Sequence, residues 1–320
     1  MIKIPYVAKA FPKSIYGSLL QGNKSLSIDW YDLIWAAITV GKKNKSQISK
    51  HGIYSIYEII NRSTLVWTSL KSDSSDLVKT DIYKDMDPTE KAFISFSLGM
   101  MVSKLFSDKL LNVPWLEHIS NFSGTLKTYG KTKSRPDLIG LNNRGEYVIV
   151  EAKGRTNEFD SIAQLKAKSQ SKVIASVGGN KPILRVASQS YFKNCLKVHF
   201  EDPEGIDEES IDLEISEDDF FRTYYGRFSS LTENDLSLLK PLGIQLSFTK
   251  ELAECFKLDN YSKLIVKEKN GSEDDTDSAD AADTGYIDNT GFKVFSDGLM
   301  IKLKPEIWGE SNMNLEPKVR

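Results

Sequence analysis

The sequence predicts an α/β (α+β) protein, helices packed on a central sheet, and three observations carry that expectation. Two apolar runs, Leu138 to Leu141 and Tyr147 to Val150, flank Asn-Asn-Arg-Gly, a segment rich in residues that tolerate positive φ, so they read as a β-hairpin. Neither run alternates cleanly between polar and apolar residues, which places the hairpin inside a sheet covered on both faces. Upstream, Asp87-Pro88-Thr89-Glu90 is a helix start: a cap, a proline in the first turn and a glutamate three residues after the cap. Ile94, Leu98, Met101 and Leu105 then follow at helical spacing, an apolar stripe suited to packing on a sheet. Downstream, Glu158 to Lys172 has helical patterning and Pro182 to Ala187 reads as a further strand.

The remaining elements are taken in chain order. Residues 1–86 read as a mostly helical N-terminal region. Asp29 caps a helix through Trp30, Leu33, Ile34 and Ala37, and a second covers Ile53 to Ile60. Between them lies the basic loop Gly-Lys-Lys-Asn-Lys. It suits a small DNA-contacting, winged-helix-like module with Lys42, Lys43 and Lys45 on phosphates, or, as we favour, a helical elaboration packed on the core. Lys71 to Asp81 is rich in Ser and Asp and reads as a loop. Residues 87–200 form the core, with Ser123 to Gly130 as its first strand and Gly178-Gly179-Asn180 as a turn. Residues 201–320 form an acidic region with helices after Ser216, at Leu231 to Leu239 and at Thr249 to Phe256. A flexible acidic segment, 272–284, precedes a terminal hairpin of Gly291 to Phe295 and Leu299 to Leu303.

A 320-residue chain with 40% hydrophobic and 10% aromatic residues fits a globular protein rather than a disordered one. Cys195 and Cys255 offer no metal-ligand spacing, and His51, His118 and His199 are scattered, so neither a zinc site nor a Ser/His triad is indicated. No signal-like apolar region and no membrane-length run stand out, so a soluble cytoplasmic protein is expected. The net charge of −2 hides a polarity. Basic residues outnumber acidic ones from about Lys127 to Lys172, whereas Glu201 to Asp219 and Glu273 to Asp283 carry no basic residue. A basic segment of this kind is compatible with a DNA-binding face.

The hairpin itself carries Asp137, Glu151 and Lys153, and buried charges are costly unless paired or bound to metal. Glu151 and Lys153, two apart on a strand, point to one face. A loop of Asn143-Arg144-Gly145, with Gly145 left-handed, sets Asp137 across from Glu151 on that face; a two-residue loop at Asn143-Arg144 turns the carboxylates to opposite faces. The first register suits a hard divalent cation such as Mg²⁺, which takes few carboxylates and keeps several waters.

Pro136-Asp137, a spacer, then Glu151-Ala152-Lys153 resembles the signature of the PD-(D/E)XK nuclease superfamily, the restriction-endonuclease-like proteins. The resemblance covers roughly Asp87 to Phe200 and implies an αβββαβ core with a central mixed sheet. It implies Asp137, Glu151 and the carbonyl of Ala152 as metal ligands, Lys153 as the catalytic lysine, and Mg²⁺, with Mn²⁺ able to substitute. Glu90 matches by position an additional acidic ligand on the preceding helix, although it also has a capping role. Gln164 matches a polar residue placed on the following helix near the site. Lys131, Lys133, Arg135 and Arg155 would hold the nucleic-acid backbone. The implied function is hydrolysis of DNA, most naturally duplex, in restriction, phage defence or DNA repair. The competing readings are an RNA or branched-DNA nuclease, a non-catalytic DNA- or protein-binding subunit of a larger assembly, a homodimer, and a partner docked on the acidic C-terminal region. The plainest reading of the motif is an edge hairpin with a solvated Glu151–Lys153 pair.

Overall fold

Apolar strands collect the chain around one nine-stranded mixed sheet in a computed structural model that describes residues 1–43, 52–129, 134–202, 210–265 and 285–309. Its strands are β1 (Ile2–Lys9), β2 (Gly22–Ile28), β3 (Leu70–Asp73), β4 (Asp76–Lys79), β5 (Trp115–His118), β7 (Leu138–Leu141), β8 (Tyr147–Gly154), β10 (Leu184–Lys193) and β11 (Cys195–Glu201), with β6 and β9 placed elsewhere. The order is β3-β4-β1-β11-β10-β8-β7-β5, and β2 pairs with β1 outside that path. β8–β10, β1–β11 and β1–β4 are parallel; β5–β7, β7–β8 and β10–β11 are antiparallel.

Helices cover both faces. The described helices are α1 (Lys13–Tyr16), α2 (Trp30–Thr39), α3 (Ile53–Ser69), α4 (Asp81–Asp85), α5 (Pro88–Leu111), α6 (Ser161–Lys172), α7 (Glu217–Ser229), α8 (Glu233–Ser237), α9 (Lys250–Leu258) and α10 (Pro305–Trp308). α5 starts as its sequence dictates, with Asp87 and Glu90 closing a reciprocal capping box, and Ile94, Leu98, Met101 and Leu105 are all buried. Ser103 on α5 donates to the Ser188 side chain on β10, while Gln164 on α6 accepts from the side chain of the next residue, Gln189. Since successive strand residues face opposite sides, α5 and α6 flank the middle of the sheet.

Several expectations are corrected. The N-terminal region is not mostly helical. Ile2, Ile4, Tyr6 and Ala8 are buried at period two, and β1 joins the main sheet against β11. Lys71 to Asp81 is not a loop but the β3–β4 hairpin followed by the start of α4; the non-glycine residues Ser74 and Ser75 take the positive φ of its turn. The core strand beside β7 is Trp115–His118, not Ser123 to Gly130. From the latter, β6 (Leu126–Thr128) joins a separate three-stranded sheet with β12 (Ile211–Leu213) and β9 (Ile174–Val177). The strand expected at Pro182 to Ala187 begins at Leu184 and runs on to Lys193.

Other expectations hold. Asp29 caps α2 in a capping box, Ser216 caps α7, and Gly178 and Gly179 take positive φ in the turn after β9. The terminal hairpin is β15 (Lys293–Val294) and β16 (Leu299–Leu303). It belongs to its own four-stranded sheet with β13 (Ile244–Phe248) and β14 (Tyr286–Ile287). The acidic segment 272–284 lies outside the described residues. Among the described residues, no helix is long and apolar enough to cross a membrane.

Candidate functional site

The site is built by the register of one hairpin. Gly145 takes φ 78°, its N–H donates to the Asn142 carbonyl at 3.0 Å, and Asn142 N–H donates to the Glu146 carbonyl at 3.0 Å. The Asn142 side-chain oxygen also accepts from the backbone of Arg144 and Glu146. The loop is therefore Asn143-Arg144-Gly145, and the pairing of Leu138 with Val150 sets Asp137 opposite Glu151. Of the two registers open to the sequence, this one brings the carboxylates together.

They are held tightly. Asp137 N–H donates to Glu151 Oε2 at 2.9 Å, and Ala152 N–H donates to Asp137 Oδ2 at 3.2 Å. Lys153 Nζ is ion-paired with Glu151 Oε1 and donates to Gln170 Oε1 on α6 at 2.9 Å. Glu151 is only 1% exposed, which rules out a solvated surface pair. Burial, then the charge of Asp137, pushes the Glu151 carboxyl up to about 8 against the pull of Lys153; burial likewise raises Asp137.

Two facing carboxylates balanced by one ammonium leave a buried site short of positive charge, and this donor set fits a hard divalent cation. The Ala152 N–H points to Asp137, so the carbonyl of the same extended residue faces the same strand edge and adds an oxygen donor. Among the described residues, no three His, Cys, Asp or Glu side chains gather as a metal set, so water would complete the coordination.

The other expected residues separate into three groups. Glu90 is exposed and its carboxylate accepts from the Asp87 N–H, so the structure gives it to the helix cap and does not bring it to Asp137. Gln164 is buried against β10 and β11, with Nε2 at 3.4 Å from both the Ala187 carbonyl and Glu201 Oε2, and it makes no bond to the carboxylate pair. The α6 residue that reaches Lys153 is Gln170. Arg135 is exposed beside Pro136, and Arg155 pairs with Asp160 at 2.8 Å. Lys131, Lys133 and Lys45 lie outside the described residues. Lys42 pairs with Glu58 at 2.8 Å, and Lys43 is exposed.

Three features escaped the sequence reading. Gln170 is one. A second is His118, whose ring feels the Asp137 charge although burial, the larger effect, lowers its pKa. The third is a basic concavity of Lys79, Lys84 and Lys91 beside Thr156 and Asn157, just past Lys153. Its lysines come from three elements, so no charge run announces them. No protein-family model and no curated protein matches this chain.

Proposed function

We propose that the protein is a metal-dependent nuclease of restriction-endonuclease-like architecture that hydrolyses nucleic-acid phosphodiesters, DNA in the first instance. The observation that supports this most is the convergence of Asp137, Glu151 and Lys153 through a hydrogen-bonded hairpin register. Within the main sheet and its covering helices, the succession α5, β5, β7, β8, α6, β10 supports this reading, being compatible with the αβββαβ order that the resemblance implies.

Asp137, Glu151 and the Ala152 carbonyl would hold Mg²⁺ or Mn²⁺. When bound, the cation polarises a phosphoryl oxygen and makes a bound water more acidic. The Lys153 ammonium, oriented by Gln170, lies beside the carboxylates, where it positions the attacking water and stabilises negative charge developing on phosphorus. Arg155, Arg135 and the Lys79–Lys84–Lys91 concavity offer positive charge to neighbouring phosphates.

The test is cleavage of plasmid and oligonucleotide DNA with Mg²⁺ or Mn²⁺, wild type beside Asp137→Ala and Lys153→Ala. Metal-dependent cutting should fall by at least about 10²-fold in Lys153→Ala, the lower range for loss of a proton-transfer or charge-stabilising group. A folded wild type that binds DNA and cuts nothing would instead favour the binding-subunit reading.

A further inference from the structure

A groove of about 340 Å³ opens between the end of α2, α3, α5 and the end of β5. Its walls include Leu65, Phe93, Phe96 and Met100, and Phe93 and Phe96 are 57% and 51% exposed. Large aromatic rings exposed side by side on a helix are costly in water unless something covers them. Lys42 and Lys43 stand at the rim, and His118 lines the wall nearest the carboxylate site.

The imidazole is set up as a donor. His118 Nδ1 accepts the Ser120 backbone N–H at 3.2 Å, so the neutral ring carries its proton on Nε2, for which no partner is found among the described residues. His118 also sets this wall of the groove near the proposed active site, its ring within reach of the Asp137 charge. The residue after His118, Ile119, donates its N–H to the carbonyl of Asp137 at 2.9 Å.

We propose that this groove receives one unstacked nucleobase of the strand lying across Asp137, with neighbouring phosphates held by Lys42 and Lys43. The volume is at the small end for ligand pockets, enough for a planar ring system and too small for a docked helix. The aromatic and methionine wall supplies a stacking surface, and His118 Nε2–H supplies one hydrogen bond to an acceptor on the base edge. Lys42 and Arg62 share the single carboxylate of Glu58 on this wall, so with Lys43 the rim keeps a net positive charge, which matches the phosphate that any attached base must bring with it. The inference rests on the nuclease reading and adds a substrate class to it: strands with a base free to leave the stack.

The experiment measures binding, not cutting. Full-length protein carrying Asp137→Ala is titrated by fluorescence anisotropy with a labelled single-stranded oligonucleotide and with the same strand bearing a central abasic site. A base in the groove predicts tighter binding of the intact strand. Phe96→Ala should then weaken intact-strand binding by at least about fivefold, as expected for loss of one stacking contact, and leave the abasic strand unchanged. Leu65→Trp, which fills the groove, should give the same pattern, with circular dichroism verifying the fold of each variant. Equal affinity for the two strands, or equal weakening of both by Phe96→Ala, overturns the proposal and leaves the cleavage test untouched. Base-selective binding by a protein that cuts no nucleic acid would keep the groove and reject the nuclease.

Discussion

Gly154 follows the lysine of the site, and the structure leaves no room there for a side chain. A Cβ at this position would lie 1.7 Å from the Ser95 carbonyl oxygen and 2.4 Å from its carbon, both backbone atoms of α5. Ordinary carbon–oxygen contact needs roughly 3.3 Å, so Gly154→Ala must drive helix and strand apart by about 1.5 Å. The cost is that of overpacking, about 3 kcal/mol, because neither backbone can rotate away as a side chain would. For 320 residues, at about 2.1 cal/mol/K of unfolding entropy per residue, that corresponds to a fall in Tm of roughly 4–5 °C. Gly99→Ala probes the same contact from the other side. Its Cβ would meet Gly154 N at 2.7 Å, a milder clash, and the alanine recovers about 1 kcal/mol of helix propensity, so its loss should be smaller. Thermal denaturation of both single variants and the double variant is the assay, and the shared contact makes the double less than additive. A Gly154→Ala protein melting within about 1 °C of wild type, or a Gly99→Ala protein less stable than it, refutes the seating of α5 on β8.

Three further outcomes follow from the same geometry. Asp137→Asn replaces one of two facing buried carboxylates by an amide that can still accept from Ala152 N–H and can donate to Glu151; Tm in EDTA should rise, and the rise in Tm that the proposed metal site predicts for wild type with Mg²⁺ should be absent, both read by calorimetry. Lys84→Glu with Lys91→Glu should weaken duplex binding and flatten the dependence of log K on log salt by about 2, whereas an unchanged slope would remove the concavity from the DNA path. Asp108 is buried on α5, with Oδ2 lacking a hydrogen-bond partner among the described residues and its carboxyl pushed up from 3.8 to about 6, chiefly by burial. Its contribution to stability is complete below the unfolded value and is lost as pH rises through the folded one, a difference of order 3 kcal/mol. Asp108→Asn should therefore flatten the decline between about pH 4 and pH 6.5 relative to wild type; parallel curves would contradict the burial argument.

The hairpin was legible because its information is local. Turn residues set the loop, the loop sets the register, and the register decides which carboxylates meet. The Asp87 cap and the stripe from Ile94 were legible for the same reason. What escaped depends on contacts distant in sequence. β1 pairs with β11 across most of the main sheet's connectivity, and its alternation is interrupted by Pro5 and shadowed by the helical segments that follow. The edge strand Trp115–His118 is only four residues long and includes Glu117 and His118, so no apolar run marks it. Gln164 and Gln170 are indistinguishable as isolated glutamines; only the direction in which α6 crosses β8 and β10 shows that the second meets Lys153.

The C-terminal region, acidic and weakly patterned in sequence, is fastened to the core through buried polar groups. Asp297, in the turn between β15 and β16, accepts from Trp35 Nε1 on α2 and from Tyr224 OH on α7, at 3.0 and 2.7 Å. Tyr224 OH in turn accepts from Lys104 Nζ on α5 at 2.8 Å, and Lys104 also donates to the carbonyl of Pro114, just before β5. Trp115 on β5 donates to Tyr225 OH, which donates to the Asp297 carbonyl. A buried lysine and aspartate of this kind cost free energy unless every member finds its partner, so the network tolerates few alternative placements of α5, α7 and β5. Two of these elements bear directly on the carboxylates. α5 is seated on β8 at Gly154, and β5 pairs with β7 just beyond Asp137. The strand ends that face Asp137 toward Glu151 are thus braced from behind by residues far along the chain, Tyr224, Tyr225 and Asp297. That bracing fixes the strands on which Asp137 and Glu151 meet, so the cost of ionising both is met by raised pKa values and not by separation.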